Sequence, residues 1–98
     1  MAAGRKDTKV AAEVIVSGRV QGVGYRFFTE RIAPRHGIKG WSMNMPDGRV
    51  MLDIEGERED ALLFIEELEK GPGMATVTKV DVTWKPCMGK YDRFFIKI

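Results

Sequence analysis

A chain of 98 residues has room for one hydrophobic core, and its 44% apolar residues are enough to fill it. Sixteen lysines and arginines against fourteen aspartates and glutamates leave a formal charge of +2, too even a balance to make nucleic acid or an anionic membrane the default partner. Cys87 is the only cysteine, which excludes an intramolecular disulfide and fits a reducing cytoplasm; no apolar run approaches the ~18 residues of a membrane span, and the N-terminus lacks the apolar stretch of a secretory signal.

Residues 1–9 are small and polar without periodicity, and predict a loose segment ahead of a single domain at 10–98, with order starting near Val10 or Ala11. Val14 and Val16 then alternate with Glu13, Ile15 and Ser17, the pattern of a central strand. A glycine-rich turn follows. Tyr25, Phe28 and Ile32 fall at i, i+3 and i+7, an amphipathic helix with Glu30 and Arg31 toward solvent. Pro34 should end that helix early or kink its last turn, and Gly37 is a plausible terminator. Residues 39–45 read as a second strand, Met45-Pro-Asp-Gly48 as a tight turn, and residues 49–55 as a third strand with Val50, Leu52 and Ile54 on one face.

The second helix is plainer, because Ala61, Phe64, Ile65 and Leu68 repeat at helical spacing before Gly71-Pro72 stops them. Val80, Val82 and Trp84 alternate as a fourth strand, residues 85–92 make a loop, and Phe94, Ile96 and Ile98 alternate as a last strand. The order is βαββαβ with one further short strand. It predicts an α+β fold, the ferredoxin-like split βαβ sandwich, with two helices on one face of an antiparallel four- to five-stranded sheet.

Gly18-Arg-Val-Gln-Gly-Val-Gly-Tyr-Arg26 is the stretch that carries chemistry. Glycines at 18, 22 and 24 let the backbone curl so that several amides converge at a helix N-terminus, where unpaired N–H groups and the helix dipole favour an anion. Arg26 adds a planar fork of donors suited to a tetrahedral oxyanion. The spacing is not that of the dinucleotide fingerprint, and the Lys-Ser/Thr ending of the nucleoside-triphosphate loop is missing. Asn44, near the end of the second strand, can face the start of the first helix in a split βαβ arrangement.

This stretch, followed by Gly40-Trp-Ser-Met-Asn44 and Asp47-Gly-Arg-Val50, resembles the acylphosphatase family. Gly56, Asp60, Lys70-Gly-Pro-Gly-Met-Ala75, the valine-rich run to Trp84 and the closing Phe94-Phe-Ile-Lys-Ile98 extend the resemblance over all but the first ten or so residues. It implies metal-independent hydrolysis of acyl phosphates to carboxylate and orthophosphate by a monomeric, cytoplasmic enzyme that needs no cofactor. It further implies that Arg26 and the backbone amides of Gln21, Gly22, Val23, Gly24, Tyr25 and Arg26 bind the phosphoryl group, that Asn44 positions the attacking water, and that a phosphate or sulfate ion can occupy the cradle. Ser42 and Met43 depart from the family pattern, which usually has a valine and a basic or polar residue there.

Each residue has an ordinary explanation when taken alone. His36 reads as a surface histidine at a helix end, Cys87 as an incidental thiol, Asp47 as a turn former and Asp53 as an outward strand position. One His and one Cys far apart give no zinc spacing. The alternative function is a non-catalytic anion- or RNA-binding module, since this fold can stack bases on exposed sheet aromatics. The aromatic strand motif of that class is absent, however, and Trp41 and Trp84 read as core or sheet-face residues, so no nucleic acid and no membrane partner is expected. Similar domains also occur inside a larger hydrogenase-maturation enzyme; the short chain favours the free-standing form.

Overall fold

The computed structural model describes residues 8–98, so most of the segment expected to be loose, residues 1–7, lies outside the described residues. The elements are β1 (Lys9–Arg19), α1 (Tyr25–Ile32) with a 3-10 turn (Ala33–His36), β2 (Lys39–Asn44), β3 (Val50–Glu57), α2 (Arg58–Lys70), β4 (Thr76–Pro86) and β5 (Phe94–Ile96). They form one five-stranded sheet in the order β4-β1-β3-β2-β5. This is the ferredoxin-like architecture that the element order predicts.

One detail differs. The pairings of β1 with β3, β1 with β4 and β2 with β3 are antiparallel, but β5 lies parallel to β2, so the sheet is mixed. The reason is topological. After β4, at one edge, the chain must reach the opposite edge, and it returns there running in the direction of β2. Residues 87–93 make that crossing over the sheet face opposite the helices, where Lys90 N–H bonds the Glu55 carboxylate (3.0 Å) and the Tyr91 hydroxyl donates to Asp53 (2.5 Å).

Asp53 therefore does more than point outward. The residue is 6% exposed, and its carboxylate sits 2.6 Å from Lys85 Nζ and 3.7 Å from Lys90 Nζ. Burial pushes its pKa up, but the hydrogen bonds from Lys85 and Tyr91 and the two lysine charges outweigh that and hold it below the ordinary carboxylate value. Tyr91 responds in the other direction, with burial and the Asp53 contact pushing its hydroxyl up to about 12.

The core lies between the sheet and the two helices. Ala12, Val14 and Val16 from β1 and Val50, Leu52 and Ile54 from β3 meet Tyr25, Phe28 and Ile32 of α1 and Ala61, Phe64 and Leu68 of α2. These are the periodic residues of the sequence, because alternation in strands and a 3.6-residue repeat in helices select one face each. Pro34 acts as expected: α1 stops at Ile32, and the 3-10 turn closes on Gly37, whose left-handed backbone lets its N–H reach the carbonyls of Ala33 and Pro34. His36 Nε2, in that turn, lies 2.5 Å from Glu67 Oε2 on α2 and so ties the two helical segments together.

Two further features set the position of the site. β1 runs beyond Ser17 through a register shift, with Gly18 opposite Val77 and Arg19 opposite Thr76. A Cβ at Gly18 would fall 2.1 Å from the Thr76 carbonyl oxygen, so only glycine lets β4 close on the start of the loop. The β2–β3 hairpin turns through residues 45–49, closed by Met45 N–H to Arg49 O (2.8 Å) and Gly48 N–H to Met45 O (3.1 Å). Asp47 accepts from Arg49 N–H and Nε, the turn chemistry its sequence predicts. Among the described residues no helix is long and apolar enough to cross a membrane.

Candidate active site

The loop between β1 and α1 is shaped by Gly22 and Gly24, with φ of 75° and 80°, a left-handed conformation that side-chain-bearing residues rarely adopt. Gly24 is the N-cap of α1, accepts the Phe28 N–H at 3.0 Å and offers no side chain to cap the first turn. The leading amides of α1 thus lack a capping side chain, and the first turn contains no acidic residue. A Cβ at Gly22 or at Gly24 would meet nothing within 4 Å, so the space above the loop is open.

That space is a pocket of about 250 Å³, bordered by Gly22, Gly24, Arg26, Phe27 and Asn44, with Val20 and Tyr25 beneath. Arg26 and Asn44, the two residues the sequence singles out, therefore share one cavity. The Arg26 guanidinium makes no ion pair among the described residues, which leaves its charge available to the pocket. Asn44 closes β2, and its side-chain oxygen Oδ1 is buried with no hydrogen-bond partner among the described residues. A buried amide oxygen without a partner costs about 1–3 kcal/mol, a cost that a polar ligand or water bound there would remove. Of the other residues predicted to bind substrate, Gly22, Gly24 and Tyr25 line this pocket, while Gln21 and Val23 lie in the same loop.

Three side chains around the pocket, Gln21, Thr29 and Tyr25, make hydrogen bonds that were not legible in the sequence. The Gln21 side chain, expected only to supply its backbone amide, donates from Nε2 to the carbonyls of Met45 (2.7 Å) and Arg49 (2.9 Å), clipping the loop to the hairpin that follows Asn44. Thr29, one turn into α1, donates to the Arg26 carbonyl (2.7 Å), and its hydroxyl is hydrogen-bonded to that of Ser42 at 3.0 Å. The departure at Ser42 is thereby compensated, since the buried hydroxyl has a buried partner two residues before Asn44. Tyr25, whose ring is in the core, donates its hydroxyl to the Leu68 carbonyl of α2 at 2.7 Å, and burial pushes its pKa up. The only advance signal is that Thr29 stands on the otherwise apolar buried face of α1.

A larger hollow of about 560 Å³ lies at Thr8 and the start of α2, but in its lining Glu57, Glu59 and Asp60 outnumber Arg58 and disfavour an anion. Among the described residues no group of three or more His, Cys, Asp or Glu side chains is placed to hold a metal ion.

Fold and pocket together define a ferredoxin-like sandwich in which an arginine with no ion pair among the described residues stands beside a helix N-terminus that lacks a side-chain cap. The sequence profile of the acylphosphatase family matches residues 12–96. The chain is 48% identical over 73 residues to the acylphosphatase of Archaeoglobus fulgidus, covering 74% of this chain and 82% of that one. It is 45% identical over 87 residues to that of Thermotoga maritima, covering 89% and 96%. The crystal structure of acylphosphatase from Bacillus subtilis superposes with a TM-score of 0.88 at 35% identity, over 91% of this chain and 99% of that one. The chain belongs to the acylphosphatase family, and its activity is that of an enzyme hydrolysing acyl phosphates.

Proposed function

We propose that the reaction runs in the pocket between the Gly18–Arg26 loop and Asn44, with Arg26 and the amides of residues 21–26 binding the phosphoryl group and Asn44 holding the attacking water. The observation that carries this reading is the pairing, in one cavity, of a guanidinium and a buried amide oxygen that have, among the described residues, no counter-ion and no donor respectively. An anion satisfies the first. A water satisfies the second, donating to Asn44 Oδ1 while its lone pair faces phosphorus.

The water oxygen attacks phosphorus in line with the bond to the carboxyl oxygen. As the new P–O bond forms the old one breaks, its electron pair leaves with the carboxylate, and one water proton passes to a phosphoryl oxygen to give orthophosphate. Asn44 is too weak a base to take that proton, so the substrate's own oxygen receives it. The leaving carboxylate has a conjugate acid of pKa about 4 and departs without a general acid. Charge on the equatorial oxygens is met by Arg26 and the loop amides, so that positioning and electrostatics supply the catalysis and no metal is required. Inorganic phosphate or sulfate would occupy the same seat. All side chains in this scheme come from residues 10–98 of one chain, which we propose act as one domain in a monomer; the lone thiol fits a cytoplasmic setting.

The test is hydrolysis of benzoyl phosphate with a chelator present, comparing wild type with Arg26→Ala, Arg26→Lys and Asn44→Ala. Arg26→Ala is expected to lose at least ~100-fold in kcat/KM, the size of one oxyanion donor, and lysine should not restore it because its ammonium cannot form the bidentate contact. Orthophosphate should inhibit competitively. Full activity in Arg26→Lys, or loss of activity on chelation, would refute this scheme.

A further inference from the structure

The proposed reading accounts for the phosphoryl end of the substrate and leaves the acyl end without a partner. Once phosphate is seated on the loop, the acyl group must project along the pocket wall or into solvent. Val20 and Tyr25, beneath the pocket, are each 1% exposed and have no surface to offer, while Gly22 and Gly24 carry no side chain. Arg26 and Asn44 are polar. Phe27 remains. It follows Arg26 in the first turn of α1, borders the same cavity and is 67% exposed.

Single exposed apolar residues are common and need no explanation by themselves. Position and isolation distinguish this one. Phe28, its neighbour, packs against Tyr25 and carries Arg31 over its ring, and Phe94 packs on Phe64; the Phe27 ring engages no other ring and no cation among the described residues. An aromatic face with no ring or cation partner among the described residues thus borders the pocket that holds Arg26 and Asn44.

We propose that Phe27 determines specificity for the acyl group, its ring forming an apolar seat that favours acyl phosphates with aromatic or long aliphatic acyl groups over acetyl or carbamoyl phosphate. The inference rests on the seat described under the proposed function. An acyl group lying on the ring removes apolar surface of both from water, and an aromatic one gains ring–ring contact as well. A methyl or amino group covers too little of the ring to benefit.

The experiment measures kcat/KM for benzoyl phosphate and for acetyl phosphate in wild type, Phe27→Ala, Phe27→Leu and the surface control Met88→Ala. The readout is the benzoyl-to-acetyl ratio within each preparation, so a partly inactive sample cancels. Phe27→Ala is expected to lower that ratio about fivefold, a step typical of one aromatic contact, with Phe27→Leu between alanine and wild type and Met88→Ala at the wild-type ratio. An unchanged ratio in Phe27→Ala overturns the proposal while leaving the phosphate seat in place. Absence of turnover on both substrates in folded wild type overturns the seat itself, and the role of Phe27 with it.

Discussion

Replacing Gln21 by alanine separates the architecture of the site from its chemistry. The change removes two hydrogen bonds, from Nε2 to the carbonyls of Met45 and Arg49, that join the glycine loop to the hairpin after Asn44. Both carbonyls keep another donor, since Gly48 N–H bonds Met45 O at 3.1 Å and Met45 N–H bonds Arg49 O at 2.8 Å. Neither acceptor is orphaned. The stability loss should therefore be about 1–2 kcal/mol, the net worth of two ordinary bonds. Against a typical ~5–15 kcal/mol the protein stays folded. Activity should fall further, because the loop proposed to seat phosphate and the strand end proposed to hold water lose their direct tie, and a misplacement of about 1 Å can cost on the order of 100-fold. We expect at least a tenfold loss in kcat/KM for benzoyl phosphate, with urea unfolding measured on the same samples. Gln21→Glu, nearly isosteric but with no donor at neutral pH, sets a carboxylate against two carbonyls and should lose more on both counts. If Gln21→Ala showed the stability loss with kcat/KM within twofold of wild type, the clip would be structural only and the reasoning refuted.

Gly40→Ala would place its Cβ 1.8 Å from the Asp53 carbonyl oxygen at φ 138°, whereas Gly48→Ala meets nothing within 4 Å at φ 97°. Urea unfolding should show a loss of about 3 kcal/mol or more for the first and about 1 kcal/mol for the second; equal losses would sink the contact argument. Tyr25→Phe removes the buried donor to Leu68 O and should cost about 1–2 kcal/mol in the same assay, and a neutral result would mean that α2 recovers the carbonyl elsewhere. Asp53 has its pKa lowered in the folded state, so its contribution is fully present above its unfolded pKa and is lost as pH falls from there through the lower folded value. Wild type should accordingly lose stability more steeply than Asp53→Asn as pH drops below the ordinary aspartate value of 3.8, and parallel curves would contradict the ion-pair cluster.

The elements that were legible in the sequence are those whose signal is local. The alternation around Val14 and Val16, the stripe of Tyr25, Phe28 and Ile32, the stop at Pro34 and Gly37, and the turn at Asp47-Gly48 each depend on neighbours within a few residues. The parallel placement of β5 depends on where a distant edge is, and short-range periodicity carries no such information. Asp53 looked like a solvent-facing strand residue because alternation names the face but not what crosses it; residues 87–93 bury it. In the site, Arg26 and Asn44 follow from a strand-to-helix glycine loop and a strand end together with the family resemblance, and they meet in one pocket. The roles of Gln21, Thr29 and Phe27 needed three dimensions, since each acts across the chain on a residue or a space that the sequence does not show as adjacent.

The central place of β1 governs when the site can come into being. β1 pairs on one side with β3 and on the other with β4, Val10 opposite Pro86 and Arg19 opposite Thr76. Its helical neighbours can form from local interactions and β3 can pair its residues 9–16, but Gly18 and Arg19, which lead into the glycine loop, must wait for β4 from later in the chain. Such long-range pairing makes folding slow for so small a protein. During synthesis, which proceeds from the N-terminus, the loop of residues 18–26 emerges early and stays without its scaffold until Thr76 and Val77 arrive to close over Gly18. On the proposed reading, competence to bind phosphate reports completion of the sheet, and a chain cut before β4 would retain Arg26 and Asn44 without the scaffold that closes the proposed seat.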